Sequence, residues 1–302
     1  MTNIALVLGN GFDLDLGLRT RYADFADSKN EEWQYFINMA GTKTKQLFPV
    51  EFVEHMQNAR VLGNWFDVEE EISEFAQKHT NLREGQIGLI RQQYETLVNC
   101  LRFYIYRQVK STYIKEGSLA YVLMNKLNDA QHPVSLYNFN YTDCVTLCRC
   151  KKREGLQTHA VHGTLFYNMI LGCRVYNEIK ENTQLGFLYK PIISMQKDIL
   201  KQNLTQATET IIFGHSLNMM DYCYFKDFFD AIQSGQQICK KLTIICKDAK
   251  SEEDIRQRLN NNISLSIVES HIDLKCIHTD LWNSKDSKTL MQIEDLCKRF
   301  CS

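Results

Sequence analysis

The chain opens on Ile4–Leu8 (IALVL), five apolar residues without a break. So short a continuous run predicts a strand buried on both faces, as in the middle of a parallel sheet. From about residue 20 to residue 130 the apolar positions take helical spacing instead. The spacing is clearest over 86–115, where Ile87, Ile90, Tyr94, Leu97, Leu101, Tyr104 and Val109 recur every three, four or five residues and Gly117 supplies a stop. Strand-like runs resume at 134–139, 158–161, 169–171, 209–213, 242–246 and 265–268, with helical text over 143–152, 219–231 and 252–259. Strands alternating with helices predict an α/β fold. The expected form is a Rossmann-like, doubly wound parallel sheet with a large helical insertion after the first strand. The expected division is a discontinuous nucleotide-binding domain (1–19 and 131–302) and an inserted helical subdomain (20–130).

Composition narrows the partners. The 302 residues are 44% hydrophobic, enough for a substantial core, and the formal net charge is −1. A balanced charge gives no electrostatic case for a nucleic acid or a membrane surface. No stretch approaches the ~20 apolar residues of a membrane span. Eleven cysteines occur without a CxxC pair, and the N-terminus lacks the basic region of a signal peptide. Both features predict a cytoplasmic protein with reduced thiols.

In a doubly wound sheet, ligands sit beyond the carboxyl ends of the strands. That rule selects four stretches: GNGFD (9–13), NFNYTD (138–143), HGT (162–164) and GHSLNMMD (214–221). Gly9 and Gly11 allow a tight turn and close approach to a phosphate, or they form a ligand-free strand–helix turn. The full GxGxxG pattern fails at Leu14, and no acidic strand end follows about 20 residues on. Asn140 could hold a ribose hydroxyl or a water, or cap a helix starting near Tyr141. His162 is placed for general-base work or for a structural hydrogen bond. Gly214-His215-Ser216 begins like a nucleophile elbow, but Asn218 replaces its last glycine. A hydrolase order of Ser216, Asp248 and His271 or His278 can be written, and the other reading has Gly214 and Ser216 touching phosphate or ribose. Asp221 either binds a hydroxyl or favours the first turn of its helix. Asn10, Phe12, Asp13 and His215 complete the predicted ligand-binding set. Cys144, Cys148, Cys150, His159 and His162 match no common zinc spacing, so no metal is expected. The acidic run Asp67, Glu69, Glu70 and Glu71 after Trp65 predicts a solvated helix start, the other reading being a role for Asp67 or Glu70 in closing the cleft.

Taken in order, LVLGNGFDLDLGLRTRYADF, WFDVEEEI, NFNYTD, VHGTL and FGHSLNMMDYCYF resemble the AbiH family of bacteriophage abortive-infection proteins. More distantly, the order of glycine turn, NY turn, HG and GxS is similar to sirtuin-like NAD-binding domains. That resemblance implies NAD phosphates at Gly9, Gly11 and Phe12, the nicotinamide ribose near Asn140, a base at His162, and the adenosine side at Gly214 and Ser216. Asn10 stands between the glycines, and Thr142 stands where such turns often carry aspartate. The absence of paired CxxC motifs speaks against a protein deacylase.

The expectation is therefore a phage-defence effector that takes NAD or an ADP-ribose-like nucleotide and cleaves the nicotinamide–ribose bond, with Asn140 and His162 as the catalytic pair. A phage component or a partner protein would act as trigger. The rival readings are a nucleotide sensor that signals through the helical insert without chemistry, and a hydrolase built on Ser216.

Overall fold

Six parallel strands form one sheet in the order β3-β2-β1-β4-β5-β6. They are β1 (Ile4–Leu8), β2 (Val134–Asn138), β3 (Leu156–Ala160), β4 (Glu209–Phe213), β5 (Lys241–Cys246) and β6 (Asp273–His278). The computed structural model describes residues 3–42, 51–62, 67–151, 154–173, 183–190 and 194–301. The strand order is that of two mononucleotide-binding halves joined at β1 and β4, where the winding direction reverses. β1 pairs with β2 on one side and β4 on the other, and all five of its residues are buried. Its uninterrupted apolar text follows from that central position.

Alternation along the strands divides the core into two layers. Ile4, Leu6 and Leu8 face a cluster with Leu119, Leu123, Leu296 and Phe300. Ala5 and Val7 face the other side, against Phe228, Phe229, Ile232, Leu265 and Val268.

The chain resolves into two compact units: 1–18, 112–164 and 193–302 in the first, 19–111 and 165–192 in the second. Residues 112–130, expected among the inserted helices, instead lie in the first unit. The reason is the apolar face of the helix Leu119–Lys126, whose Leu119, Ala120 and Leu123 are buried beneath the sheet. The second unit is helical: among its described residues are the helices Glu31–Thr42, Glu51–Leu62, Val68–Lys78 and Glu84–Ser111. Residues after 164 close against these helices. Tyr94 Oη donates to Leu171 O at 2.6 Å, and Lys190 Nζ pairs with Glu69 Oε2 at 2.8 Å in a buried ion pair.

Several predicted elements differ, among them the helical text at 143–152, of which only Cys144–Leu147 is helix among the described residues. Residues 265–268 are not a strand; they open the helix Leu265–His271, with Leu265 and Val268 buried at helical spacing. The sixth strand is β6, whose half-exposed edge position leaves it without an apolar run. Residues 169–171 form no strand. The helical text at 219–231 breaks into Met219–Tyr222 and Lys226–Gln233.

The acidic run meets separate fates. Asp67 caps the helix Val68–Lys78 by accepting from Glu69 N at 2.9 Å, while the Glu69 side chain is buried on Lys190. Glu71 lies 3.1 Å from His55, and burial pushes its carboxyl up to about 6. The start of that motif, Trp65 and Phe66, lies outside the described residues. Among the described residues no helix is long and apolar enough to cross a membrane.

Candidate functional site

Register brings the four strand-end motifs together. Leu8, Asn138, Ala160 and Phe213 are paired in one row across β1, β2, β3 and β4. Gly9, Phe139, Val161 and Gly214 therefore leave the sheet at the same height. Their backbone amides extend the ladders one step: Gly9 N donates to Phe213 O, Phe139 N to Leu8 O, and Val161 N to Asn138 O, at 2.8 to 2.9 Å.

At the junction of β1 and β4 the two glycine turns touch. Gly11 N donates to Gly214 O at 2.8 Å, and Phe12 N donates to Gly9 O at 2.9 Å. A Cβ on Gly9 would lie 2.5 Å from His215 Cα, and one on Gly11 would lie 2.6 Å from Gly214 Cα. Gly214 has φ +65°, a left-handed conformation that glycine adopts without strain. These glycines are needed for backbone-to-backbone packing, and the amides of Gly9, Gly11 and Phe12 already have acceptors inside the protein. Phe12 itself is buried, edge-on to Phe213 at 5.3 Å.

Asp13 and Asn140 form the next layer. The Asp13 carboxylate is 1% exposed and accepts from Thr142 Oγ1 at 2.9 Å and from Asn140 Nδ2 at 3.2 Å. The same Asn140 amide nitrogen donates to Gly9 O at 3.0 Å. With no cation against it in these contacts, burial pushes the Asp13 carboxyl up to about 7, the two hydrogen bonds opposing. Asn140 caps no helix: the next one is Cys144–Leu147, capped by Asp143. Its turn is built locally, with Asn140 N donating to Asn138 Oδ1 and Asn138 Nδ2 donating to Thr142 O. A contact from Asn140 to a ribose or a water would run through its carbonyl oxygen.

His162 and His215 share one carboxylate. His162 Nε2 lies 3.3 Å from Asp221 Oδ1, and His215 Nε2 lies 3.6 Å from Asp221 Oδ2. All three are buried, at 5 to 7% exposure. Leu217 N donates to His215 Nδ1 at 3.0 Å, which places the proton of a neutral His215 ring on Nε2, toward Asp221. The rings rest on Phe139, whose centroid is 5.2 Å from that of His162 and 4.5 Å from that of His215. Tyr224 and Phe225 complete the aromatic bed. Asp221 is thus a carboxylate between two imidazoles, and the short helix Met219–Tyr222 carries it there with Asn218 as its cap.

The remaining predicted residues stand at the rim. Ser216 is exposed, and its carbonyl accepts from Arg258 Nη1 at 3.1 Å. Asn10 is half-buried at the start of the helix Asn10–Asp15. A Ser216 triad is not assembled, because its partners are held elsewhere. Asp248 caps the helix Ala249–Asn260, His271 Nδ1 bonds Ile232 O at 2.7 Å, and His278 Nε2 bonds Glu252 at 2.8 Å.

The clustered cysteines are core residues: burial pushes the Cys148 thiol up to about 12. His159 stacks on Tyr137 at 4.9 Å. Among the described residues no group of three His, Cys, Asp or Glu is placed to hold a metal ion.

Sequence reasoning selected the stretch that holds Thr142, Asn138 and Phe139 but gave those residues no role in the site, and it missed Arg258. The spacing of Asn138, Asn140 and Thr142 carries an Asx-turn signal that could have found the first two; Arg258, 42 residues beyond Ser216, carries none.

A comparison with curated proteins finds no match. The family profile described as "Bacteriophage abortive infection AbiH" matches residues 5–240, from β1 to the residue before β5, and so takes in all four strand-end turns. The chain belongs to the AbiH family of bacteriophage abortive-infection proteins.

Proposed function

We propose that the first unit binds NAD or an ADP-ribose-like nucleotide across the carboxyl edge of its sheet and hydrolyses the nicotinamide–ribose bond, and that this chemistry is its part in abortive infection. The observation that carries the reading is the His162–Asp221 pair, 3.3 Å apart and formed by the chain beyond the carboxyl ends of β3 and β4. A carboxylate beside an imidazole orients the ring and stabilises its protonated form, which is what a general base needs when it takes a proton. With Nε2 turned to Asp221, His162 would act through Nδ1. Cleavage builds positive charge on the ribose and calls for a positioned oxygen nucleophile. Asn140, fixed through its amide nitrogen by Gly9 and Asp13, is rigid enough to hold one by its carbonyl oxygen. The likeness of these turns to sirtuin-like NAD-binding domains supports the choice of nucleotide. The test is NAD consumption by the purified full chain, alone and in extract from phage-infected cells. Loss in Asn140→Ala and His162→Ala is expected. Full activity in both variants rules the assignment out.

One observation favours a second reading, a nucleotide sensor without turnover. Asn140, His162 and Asp221 are all nearly closed to solvent, and the Asn140 amide is already satisfied inside the protein. Tight binding in calorimetry with no product, in infected extract as well, selects the sensor. A phage component as trigger fits either reading.

A further inference from the structure

A nucleotide with a pyrophosphate brings negative charge that the protein must match with donors or a cation. The glycine turn after β1 is poorly supplied for this. The amides of Gly9, Gly11 and Phe12 are committed to Phe213 O, Gly214 O and Gly9 O, and the open face of Gly11 is filled by Gly214. Beneath the turn lies the Asp13 carboxylate, which would repel an anion when ionised.

The β4 side is different. Arg258, on the helix Ala249–Asn260 that follows β5, reaches the GHSLN turn and donates Nη1 to Ser216 O. A guanidinium has five N–H donors, so about four remain after that bond. No carboxylate pairs with Arg258 among the described residues. Its neighbours are spent. Arg256, on the same helix, is bound by Glu252 at 2.8 Å and Glu269 at 2.6 Å, and Lys247 lies 3.6 Å from Asp248. Lys115 lies along the side of Gly17 and faces Asp15. Beside Arg258 the Ser216 side chain is exposed. In the turn that presents them Gly214 and Leu217 hold positive φ (+65° and +50°), and Leu217 N is tied to the His215 ring.

We propose that Arg258 and the Ser216 hydroxyl form the phosphate subsite of the first unit, receiving the pyrophosphate of a nucleotide from the β4 side rather than over the glycine turn of β1. The proposal rests on the reading that this unit binds an NAD-type nucleotide. It places the ribose to be cleaved toward His162 and the phosphates toward the rim, where solvent still reaches them.

The experiment is calorimetry on the full chain with ADP-ribose, inorganic pyrophosphate and adenosine. Arg258→Gln keeps a donor for Ser216 O and so preserves the turn while removing the charge. It is expected to weaken ADP-ribose and pyrophosphate by about 10- to 100-fold, the range of one or two charge-assisted hydrogen bonds, and to leave adenosine within about twofold. Ser216→Ala should give a smaller loss in the same direction. Failure of the wild-type protein to bind ADP-ribose overturns the nucleotide reading and the subsite with it. Undiminished ADP-ribose binding by folded Arg258→Gln overturns the subsite alone, and so does an equal loss for adenosine, which would mark a distorted turn.

Discussion

Gly11 and Gly214 meet backbone to backbone at the junction of β1 and β4, joined by a 2.8 Å hydrogen bond from Gly11 N to Gly214 O. A Cβ at Gly214 would lie 2.3 Å from Phe12 N, on a residue whose φ is +65°. Gly214→Ala is therefore expected to destabilise the first unit by about 2–4 kcal/mol, combining overpacking with left-handed strain. Gly88, exposed in the helix Glu84–Ser111, has open space around its Cα, and Gly88→Ala should stabilise by about 0.5–1 kcal/mol. Urea unfolding of both variants reads the contrast, and similar stabilities would show that the turn–turn contact is loose.

Asp221 offers the sharpest test of the chemistry. Asp221→Asn keeps the shape of the side chain but removes the charge that His162 and His215 share. If His162 is the base, kcat for NAD cleavage should fall by about 10²–10⁴ while KM changes little. Unchanged kcat would mean that the carboxylate serves only to pack the turn.

Asp13 predicts a pH dependence of stability. Its carboxyl titrates at about 7 in the folded chain against an ordinary 3.8, so the fold holds the proton more tightly than the unfolded chain does. The contribution is full below 3.8, shrinks as pH rises from there toward 7, and is gone above it. Compared with Asp13→Asn, the wild-type protein should lose stability across that window, by at most about 1.4 kcal/mol per pH unit. Chemical denaturation at four or five pH values measures the difference. A difference that does not vary with pH removes Asp13 as its source.

The buried pair Lys190–Glu69 sets a prediction for the second unit. Lys190→Met or Glu69→Leu alone removes one charge of the buried pair and should cost about 3–5 kcal/mol. The double replacement Lys190→Met with Glu69→Leu should recover most of that loss. Limited proteolysis within 19–111 follows the outcome, and additive losses would show that the two charges act independently.

The central sheet was legible where burial is complete. β1 carries the unbroken apolar text of a strand covered on both faces, β2, β4 and β5 keep enough apolar positions to show it, and β4 was found to the residue. β6 escaped because an edge strand needs fewer apolar positions, and LSIV was taken in its place because a short apolar run does not distinguish strand from helix. The convergence of Gly9, Asn140, His162 and Gly214 followed from one rule about strand ends. The internal commitments of those residues did not. Which atom of Asn140 is spent on Asp13, or that Asp221 lies between two histidines, depends on contacts between residues up to 127 positions apart. Arg258 reaches Ser216 through tertiary packing alone.

β1 is the first part of the sheet to be synthesised and sits at its centre, between partners that begin at residues 134 and 209. At about 5–20 residues per second, the ribosome needs roughly 10–40 s after making β1 to finish β4. Until β2 is made both hydrogen-bonding edges of this five-residue apolar segment are open, and until β4 is made one of them still is. The nascent chain thus carries an aggregation hazard from the synthesis of β1 to that of β4, and a cell making this protein in quantity would depend on chaperones that hold the β1 segment.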